Sequence, residues 1–389
     1  MKRILFLTFY YEPELTAGSF RNTPLSKELK NQAGPDVEIT VIAIKPNRYG
    51  SYHAEADSYE EKDNLIIHRI DTPKHNSGFG GMIRSFYGFF KAARKIAARD
   101  KYDLVYASSS RLFTAYLGYT IARKQKVPLY LDIRDIFVDT MNDVLKNPVL
   151  KFFTIPAFHF IERKVFSKAD HINLISGGFK GYFEKYTRPA YSTFSNGVDE
   201  EFIEADKTPI PGNGPKQILY AGNIGEGQGL EIIIPKAAKA LEGKYQFMIV
   251  GDGGTKPKLV NELARLGVTN VQLVNPVKRS ELMQLYRKAD FFFIHLNDYE
   301  AFKKVLPSKI FELSAFDKPI IAGVNGFSRQ FIEENVPNVI TFDAGDVETF
   351  LSKINSYEYR LEERTEFIRK FRRSNVNKQM SASILSYLK

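Results

Sequence analysis

The chain has 389 residues, 43% of them hydrophobic and 26% charged, with a formal net charge of +10 and no cysteine. That length exceeds one compact domain and accommodates two of roughly 150–200 residues, each with its own core. The lack of cysteine excludes disulfide frameworks, thiolate metal centres and cysteine nucleophiles and fits a cytoplasmic setting, while the positive charge asks for an anionic partner: nucleic acid, acidic lipid or a phosphorylated metabolite.

The chain opens with M-K-R-I-L-F-L-T-F-Y-Y. E-P-E-L comes next, without a long apolar region or a small-residue cleavage site, so the segment reads as a first buried strand rather than a leader. Further strand-like runs stand at V-E-I-T-V-I-A-I, L-I-I-H-R-I, D-L-V-Y-A, L-Y-L-D-I and H-I-N-L-I, separated by helical stretches. Continuous apolar strands alternating with helices predict a parallel sheet covered on both faces.

Between L-I-I-H-R-I and D-L-V-Y-A, residues 82–99 read M-I-R-S-F-Y-G-F-F-K-A-A-R-K-I-A-A-R. Arg84, Lys91, Arg94 and Lys95 are interleaved with Phe86, Phe89 and Phe90, the pattern of an amphipathic helix lying in a membrane interface. An ordinary sheet-packing helix is the equal alternative. A second aromatic and basic stretch, K-F-F-T-I-P-A-F-H-F-I-E-R-K, adds to the membrane reading. No stretch reaches the roughly 20 apolar residues of a bilayer span, so membrane contact is expected to be peripheral.

Prolines and glycines gather in A-D-K-T-P-I-P-G-N-G-P, residues 205–215, which reads as a linker. The pattern restarts with Q-I-L-Y-A-G, Q-F-M-I-V-G, V-Q-L-V, D-F-F-F-I-H-L, P-I-I-A and V-I-T-F. Two doubly wound α/β domains are expected, at 1–205 and 206–372, with a C-terminal helical segment at 373–389.

In such sheets ligands bind outside the carboxyl ends of the strands. Y-A-G-N-I-G-E-G-Q-G-L places Gly222, Gly225, Gly227 and Gly229 between a strand and a helix, where backbone amides meet an anion at a positive helix end. A plain tight turn is the equal alternative, and Leu230 stands where a dinucleotide fingerprint requires glycine. A second glycine turn, V-G-D-G-G at Gly251, supports a nucleotide cleft. In A-G-S-F-R, Gly18 lets the backbone approach a ligand closely, and Arg21 is either functional or solvated. Lys309 and Glu312 come after Pro307 and Ser308 at i and i+3 of a short helix, hence on one face. They form either a local ion pair contributing a few tenths of a kcal/mol, or a division of labour on one nucleotide sugar, ammonium on diphosphate and carboxylate on ribose hydroxyls. Asp298 and Glu300 lack a third acidic ligand, so no metal is expected. Scattered histidines and the lack of a G-x-S-x-G elbow argue against hydrolase and metalloprotease chemistry.

Taken together, Y-Y-E-P-E-L-T-A-G-S, L-D-I-R-D, F-S-N-G-V-D, A-G-N-I-G-E-G-Q-G-L, V-G-D-G and P-S-K-I-F-E-L resemble the retaining glycosyltransferases of family 4 along nearly the whole chain. The resemblance is greatest to the branch that transfers acetamido sugars, fucosamine among them, onto lipid-linked intermediates of bacterial O-antigen and capsule. It implies the α/β GT-B fold: two tandem Rossmann-like doubly wound domains with the active site in the interdomain cleft, and the C-terminal helix packing back on the first domain. It implies hexosyl transfer without a metal or other cofactor. The donor is a nucleotide sugar, UDP-linked in first place, and the acceptor a polyprenyl-diphosphate-linked or glycan one.

By that resemblance Glu312 binds the donor ribose, Gly222, Asn223, Ile224 and Gly225 cradle the diphosphate, and Lys309 lies near the phosphates beside Ser308. Gly251 belongs to the second glycine turn, and Asn275 and Val277 meet the nucleobase. Gly18 faces the leaving group, Arg134 and Asp135 lie near the transferred sugar, and catalytic roles fall on Asp135, Lys309 and Glu312. Two departures stand out. Asn223 and Gln228 replace a basic pair, so charge compensation falls to amides and Lys309, and Lys304 occupies the place of the motif's first glutamate, leaving the contact to the donor sugar there open. The implied setting is cytoplasmic, peripheral on the inner face of an anionic membrane. A GT-B sugar-nucleotide epimerase is the nearest rival. A basic nucleic-acid-binding protein would explain the charge but not the glycine turns, and no RNP-like aromatic motif is present.

Overall fold

A computed structural model describes the chain except for residues 47–54, 73–78, 110, 146, 208–209, 211–213 and 389, and describes residues 79–83 by their backbone. The described residues form two units, Met1–Asn196 with Ser374–Lys389, and Gly197–Arg373.

In the first unit the strands are β1 Lys2–Leu7, β2 Val37–Ile44, β3 Tyr59–Lys62, β4 Leu65–Ile70, β5 Leu104–Ser109, β6 Leu129–Ile133, β7 His171–Leu174 and β8 Ala190–Ser192. They lie in the order β3-β4-β2-β1-β5-β6-β7-β8. All neighbours are parallel except β3, which returns antiparallel on β4 through a turn that sets Asp63 at φ 55°. Every residue of β5 and β6 is buried, because helices cover both faces of a parallel sheet. The winding reverses between β1 and β5, which is where a ligand crevice opens.

Two side chains bolt this unit together. Arg21, 2% exposed, forms a forked pair with Asp132, 0% exposed, through Nε and Nη2 at 2.8 Å each. The same guanidinium donates to the carbonyls of Phe194 and Ser195, and Asp132 also accepts from Asn173 Nδ2 at 2.8 Å. Arg21 is therefore neither solvated nor ligand-facing: it ties the helix Ala17–Ala33 to β6, β7 and the 194–195 segment. The helix Arg373–Leu385 contributes Met380 and Ile384 to the core under β1, β2 and β5.

The helix Phe79–Ala97 corrects an expectation. Phe86 and Phe89 are 8% and 0% exposed, and both rings pack on Phe9, at 5.9 and 5.2 Å. These two rings cover the sheet and do not face a membrane. Arg84, Lys91, Arg94 and Lys95 are exposed on the other side, while Phe90 is half-covered by Tyr116 and by the Arg94 guanidinium.

The second unit contains β9 Lys216–Asn223, β10 Tyr245–Asp252, β11 Val271–Val274, β12 Phe291–His295, β13 Ile320–Gly323 and β14 Val339–Phe342. Its order, β11-β10-β9-β12-β13-β14, all parallel, is the winding of a Rossmann sheet, with the reversal between β9 and β12. The boundary expected at 205/206 lies at 196/197. Val198 and Phe202 belong to the second unit's core with Tyr286 and Phe311, so 197–205 fold with the second sheet rather than the first. At the other end Arg373, rather than Arg372, closes the unit, donating to the Gly197 carbonyl at 2.8 Å and reaching Asp199. Of the linker expected at 205–215, residues 208–209 and 211–213 lie outside the described residues.

Candidate functional site

At the carboxyl edge of the second sheet, Gly251 pairs in register with Gly222 and Asp252 with Asn223, so the two glycine turns stand side by side. Gly251 has φ 152°, and a Cβ there would lie 1.9 Å from the Gly222 carbonyl oxygen; Gly253, at φ 156°, would place one 2.4 Å from the Ile224 oxygen. Only glycine permits this interlock. Ile224 N–H donates to the Asp252 carbonyl at 2.9 Å, and its own carbonyl accepts from Thr255 N and Oγ1 at 3.0 and 3.1 Å. With its side chain fully buried, Ile224 holds the two turns together and offers a ligand neither amide nor side chain. The N–H groups of Gly225 and Gly227 carry no hydrogen bond among the described residues. Asn223 Nδ2 donates to Gln228 Oε1 at 2.8 Å, so the two residues that replace the basic pair close the turn on each other.

His295, at the end of β12, clamps this loop from beneath. Gly345 N–H donates to its Nε2 at 2.9 Å, so Nε2 is unprotonated and Nδ1–H donates to the Gln228 carbonyl at 2.6 Å. Burial pushes its pKa down to about 4. A neutral imidazole with both nitrogens engaged positions the loop and does not serve as a base. Its sequence signal was its place at a strand end beside the winding reversal.

Glu312 and Lys309 lie on the helix Ser308–Leu313, which starts after Pro307. Glu312 Oε1 accepts from the Tyr286 hydroxyl at 2.5 Å and from Lys309 Nζ at 2.8 Å, while Lys309 Nζ also reaches Tyr286 Oη at 3.2 Å. Tyr286 is fully buried; burial and the Glu312 charge push its pKa far up, so it remains a donor. Glu312 Oε2 has no hydrogen bond among the described residues. The local ion pair is real, and it engages one carboxylate oxygen only. Ser308 opens the helix partly exposed, and Lys304 ends a 3₁₀ turn, Phe302–Lys304, two residues before buried Leu306.

Asn275 is exposed just beyond β11, and Val277 packs on the core that holds Tyr286. Lys256 donates to Asn275 Oδ1 at 2.9 Å and to the Gly251 carbonyl at 3.2 Å. It sets a cation between the second glycine turn and Asn275, a role that no local sequence pattern signals.

In the first unit, Gly18 is close to Arg134: a Cβ at Gly18 would lie 2.9 Å from Arg134 Nη1. Arg134 Nε is buried without a partner, and burial, with the like charge of Arg21, brings its pKa down to about 10. Asp135 accepts from Thr140 Oγ1 at 3.0 Å, and burial raises its pKa to about 6. Arg111, likewise without a sequence signal, donates to Tyr10 Oη at 3.1 Å and lies 4.3 Å over the Phe9 ring. Two guanidinium groups and a carboxylate thus gather at the ends of β1, β5 and β6, where the first sheet reverses.

Residues 202–374 match the family model described as Glycosyl transferases group 1. An uncharacterized glycosyltransferase of Methanocaldococcus jannaschii is 24% identical over 383 residues, covering 95% of this chain and 94% of that protein. Anabaena HepE, solved in complex with UDP and glucose, superposes with a TM-score of 0.62 at 15% identity, covering 100% of this chain and 97% of its own. WaaG, a glycosyltransferase involved in lipopolysaccharide biosynthesis, superposes with a TM-score of 0.63 at 12% identity, covering 99% and 95%. The structural likenesses carry the fold, and the family match with the near full-length relative carries the enzyme class: the chain is a glycosyltransferase of the GT-B fold, with a group 1 glycosyl transferase segment at 202–374.

Proposed function

We propose that the enzyme moves a sugar, an acetamido sugar in first place, with retention of configuration, from a UDP-linked nucleotide sugar to a lipid-linked or glycan acceptor of bacterial surface polysaccharide synthesis. The observation that carries the reading is Glu312 on the helix Ser308–Leu313, its Oε1 held by Tyr286 and Lys309 and its Oε2 without a hydrogen bond among the described residues, in the unit whose sheet reverses its winding between β9 and β12. A carboxylate oriented in this way accepts from a ribose hydroxyl. Gly225 and Gly227 amides, Lys256 and Lys309 supply positive potential for a diphosphate, which suits phosphate groups at a helix-opening glycine loop. That HepE is solved with UDP and with UDP-glucose supports the choice of base.

With no metal required, stabilisation of the leaving diphosphate rests on preorganised donors, and the departing oxygen takes the proton of the incoming hydroxyl as that hydroxyl attacks from the same face. Asp135 orients the acceptor hydroxyl. The test is incubation with a panel of UDP-sugars and a polyprenyl-diphosphate-linked acceptor, with the anomeric coupling of the product read by NMR. An α-linked product from an α-donor supports the proposal. An inverted product rejects retention, and an epimerised donor without transfer identifies the rival epimerase.

A further inference from the structure

Three of the carbonyls held in the first glycine turn lie directly before a glycine. The Ile224 carbonyl accepts from Thr255, the Glu226 carbonyl from Asn297 Nδ2 at 2.9 Å and the Gln228 carbonyl from His295 Nδ1 at 2.6 Å. In a planar trans peptide the C=O and the N–H that follows it point in opposite directions, so fixing the carbonyls of 224, 226 and 228 fixes where the amides of Gly225, Gly227 and Gly229 point. None of these three N–H groups has a hydrogen bond among the described residues. The Glu226 and Gln228 carbonyls are held from one side, by the end of β12 and the residues just beyond it, so the Gly227 and Gly229 amides both face away from that support. Gly229 directly precedes the helix Leu230–Ala240.

Asn297 is itself held in the orientation this needs. Its Oδ1 accepts from the Asp298 N–H at 3.0 Å, which leaves Nδ2 as the donor to Glu226, and its own N–H donates to the Gly227 carbonyl at 2.9 Å. One residue thus secures two successive carbonyls of the turn, the first by its side chain and the second by its backbone. The segment around it is braced in turn. Tyr299 Oη donates to Glu226 Oε1 at 2.8 Å, the Tyr299 N–H donates to the Asn297 carbonyl at 2.8 Å, and the rings of Tyr299 and Phe302 stack at 5.5 Å. Glycine is needed where these partners approach: a Cβ on Gly227 would lie 2.9 Å from Phe302 Cζ, and one on Gly229, at φ 57°, would lie 3.2 Å from Asn297 Cγ. Residues 222–230 include no lysine or arginine, so on this turn it is oriented amides that meet an anion. In a turn without such anchors the peptide planes would have to be ordered at the moment of binding, at a cost in affinity.

We propose that Asn297 is a positioning residue for a diphosphate group: with His295 beside it, it presets the Gly227 and Gly229 amides toward the phosphates without touching the ligand. The assignment rests on the proposed function for the nucleotide that carries the diphosphate, and goes beyond it in giving a residue outside the glycine turn control over phosphate affinity.

The test is calorimetric titration of UDP and of inorganic diphosphate, with uridine titrated by saturation-transfer NMR, on the full-length wild type and on Asn297→Leu, which keeps the approximate shape of the side chain and removes its amide. Asn297→Ala, run alongside, gives the same comparison without the apolar bulk, and thermal melts check both folds. UDP and diphosphate are expected to bind about tenfold more weakly to both variants, the scale of a hydrogen bond to a charged group, while uridine affinity stays within about twofold. A loss for uridine in proportion to the loss for UDP overturns the proposal, since the whole site would then have suffered. UDP affinity unchanged in both variants overturns it as well, and leaves the proposed function standing. Conversely, a wild type that binds inorganic diphosphate but no nucleotide, with the variants impaired, removes the UDP-sugar reading and keeps the positioning role. A wild type that binds neither UDP nor diphosphate ends both.

Discussion

Tyr286 donates its phenolic hydrogen to Glu312 Oε1 at 2.5 Å, from a position with no solvent exposure at all. Lys309 meets the same oxygen. The ion pair and the ligand-binding role were rival readings of the K-I-F-E stretch, and the geometry reconciles them, since locking one oxygen presets the direction of the other. Preorganisation of this sort lowers the entropy cost of binding.

Removing the carboxylate should therefore act on affinity. A hydrogen bond to a charged group contributes about 1.5–3 kcal/mol, so Glu312→Ala is expected to weaken UDP binding by roughly tenfold to a hundredfold in calorimetric titration. Tyr286→Phe, which removes only the positioning hydroxyl, should weaken it by about threefold to tenfold. Unchanged UDP affinity in Glu312→Ala would show that this carboxylate does not touch the nucleoside.

The forked pair of Arg21 and Asp132 predicts stability instead. Breaking a buried pair from one side costs about 3–5 kcal/mol, so Arg21→Met should lower the urea midpoint of the first unfolding transition accordingly. Arg21→Lys should recover little, because an ammonium does not reproduce the fork. A lysine variant as stable as the wild type would contradict the geometry.

The glycines divide between the two effects. In Gly251→Ala the new methyl group meets the Gly222 carbonyl, and the backbone sits at φ 152°, so a loss of about 2–4 kcal/mol is expected, seen as a fall in Tm. In Gly225→Ala the neighbour is the Asn223 side-chain amide, which can turn aside. Its Tm should change little while UDP binding weakens. Calorimetry and thermal melts on both variants check the division, and the opposite assignment would refute it.

Glu162 sets a pH dependence. It accepts from Tyr182 Oη, and burial raises its pKa from the ordinary 4.5 to about 7. Between these values the folded state binds more protons than the unfolded one, so stability falls as pH rises through that window and levels off above it. The shift corresponds to about 3 kcal/mol. Glu162→Gln should gain on the wild type in Tm from pH 5 to pH 7.5 and remain level above. A difference that shrinks with rising pH would reverse the argument.

Both sheets, the glycine turns and the Lys309–Glu312 face were legible in the sequence because each is a local pattern. The features that were not legible depend on partners distant in the chain. Arg21 finds Asp132 across 111 positions, and nothing near Arg21 announces that it is buried. Tyr286 reads as one more aromatic residue until Glu312 folds against it. The helix Phe79–Ala97 has the same amphipathic pattern whether its aromatic face meets a sheet or a lipid, and the sheet takes it. The helix Pro148–Phe166 reads in the sequence as aromatic and basic, but which of its aromatic residues the core takes shows only in three dimensions: Phe158 and Phe166 are buried, and Phe152, Phe153 and Phe160 are exposed. The expected boundary was set by the prolines and glycines of 205–215, whereas Val198 and Phe202 had already joined the second core.

The central claim is that the strand ends of the second unit bind the nucleotide of a UDP-sugar through Glu312. The most direct measurement is a thermal-shift series with UDP, GDP, ADP and TDP on the wild type and on Glu312→Ala. A ligand at about 100 times its dissociation constant stabilises by about 2.7 kcal/mol, so UDP should raise the wild-type Tm clearly and the variant's far less at the same concentration. A wild type that responds to none of the four nucleotides, or a variant that responds to UDP as strongly as the wild type, would contradict the account.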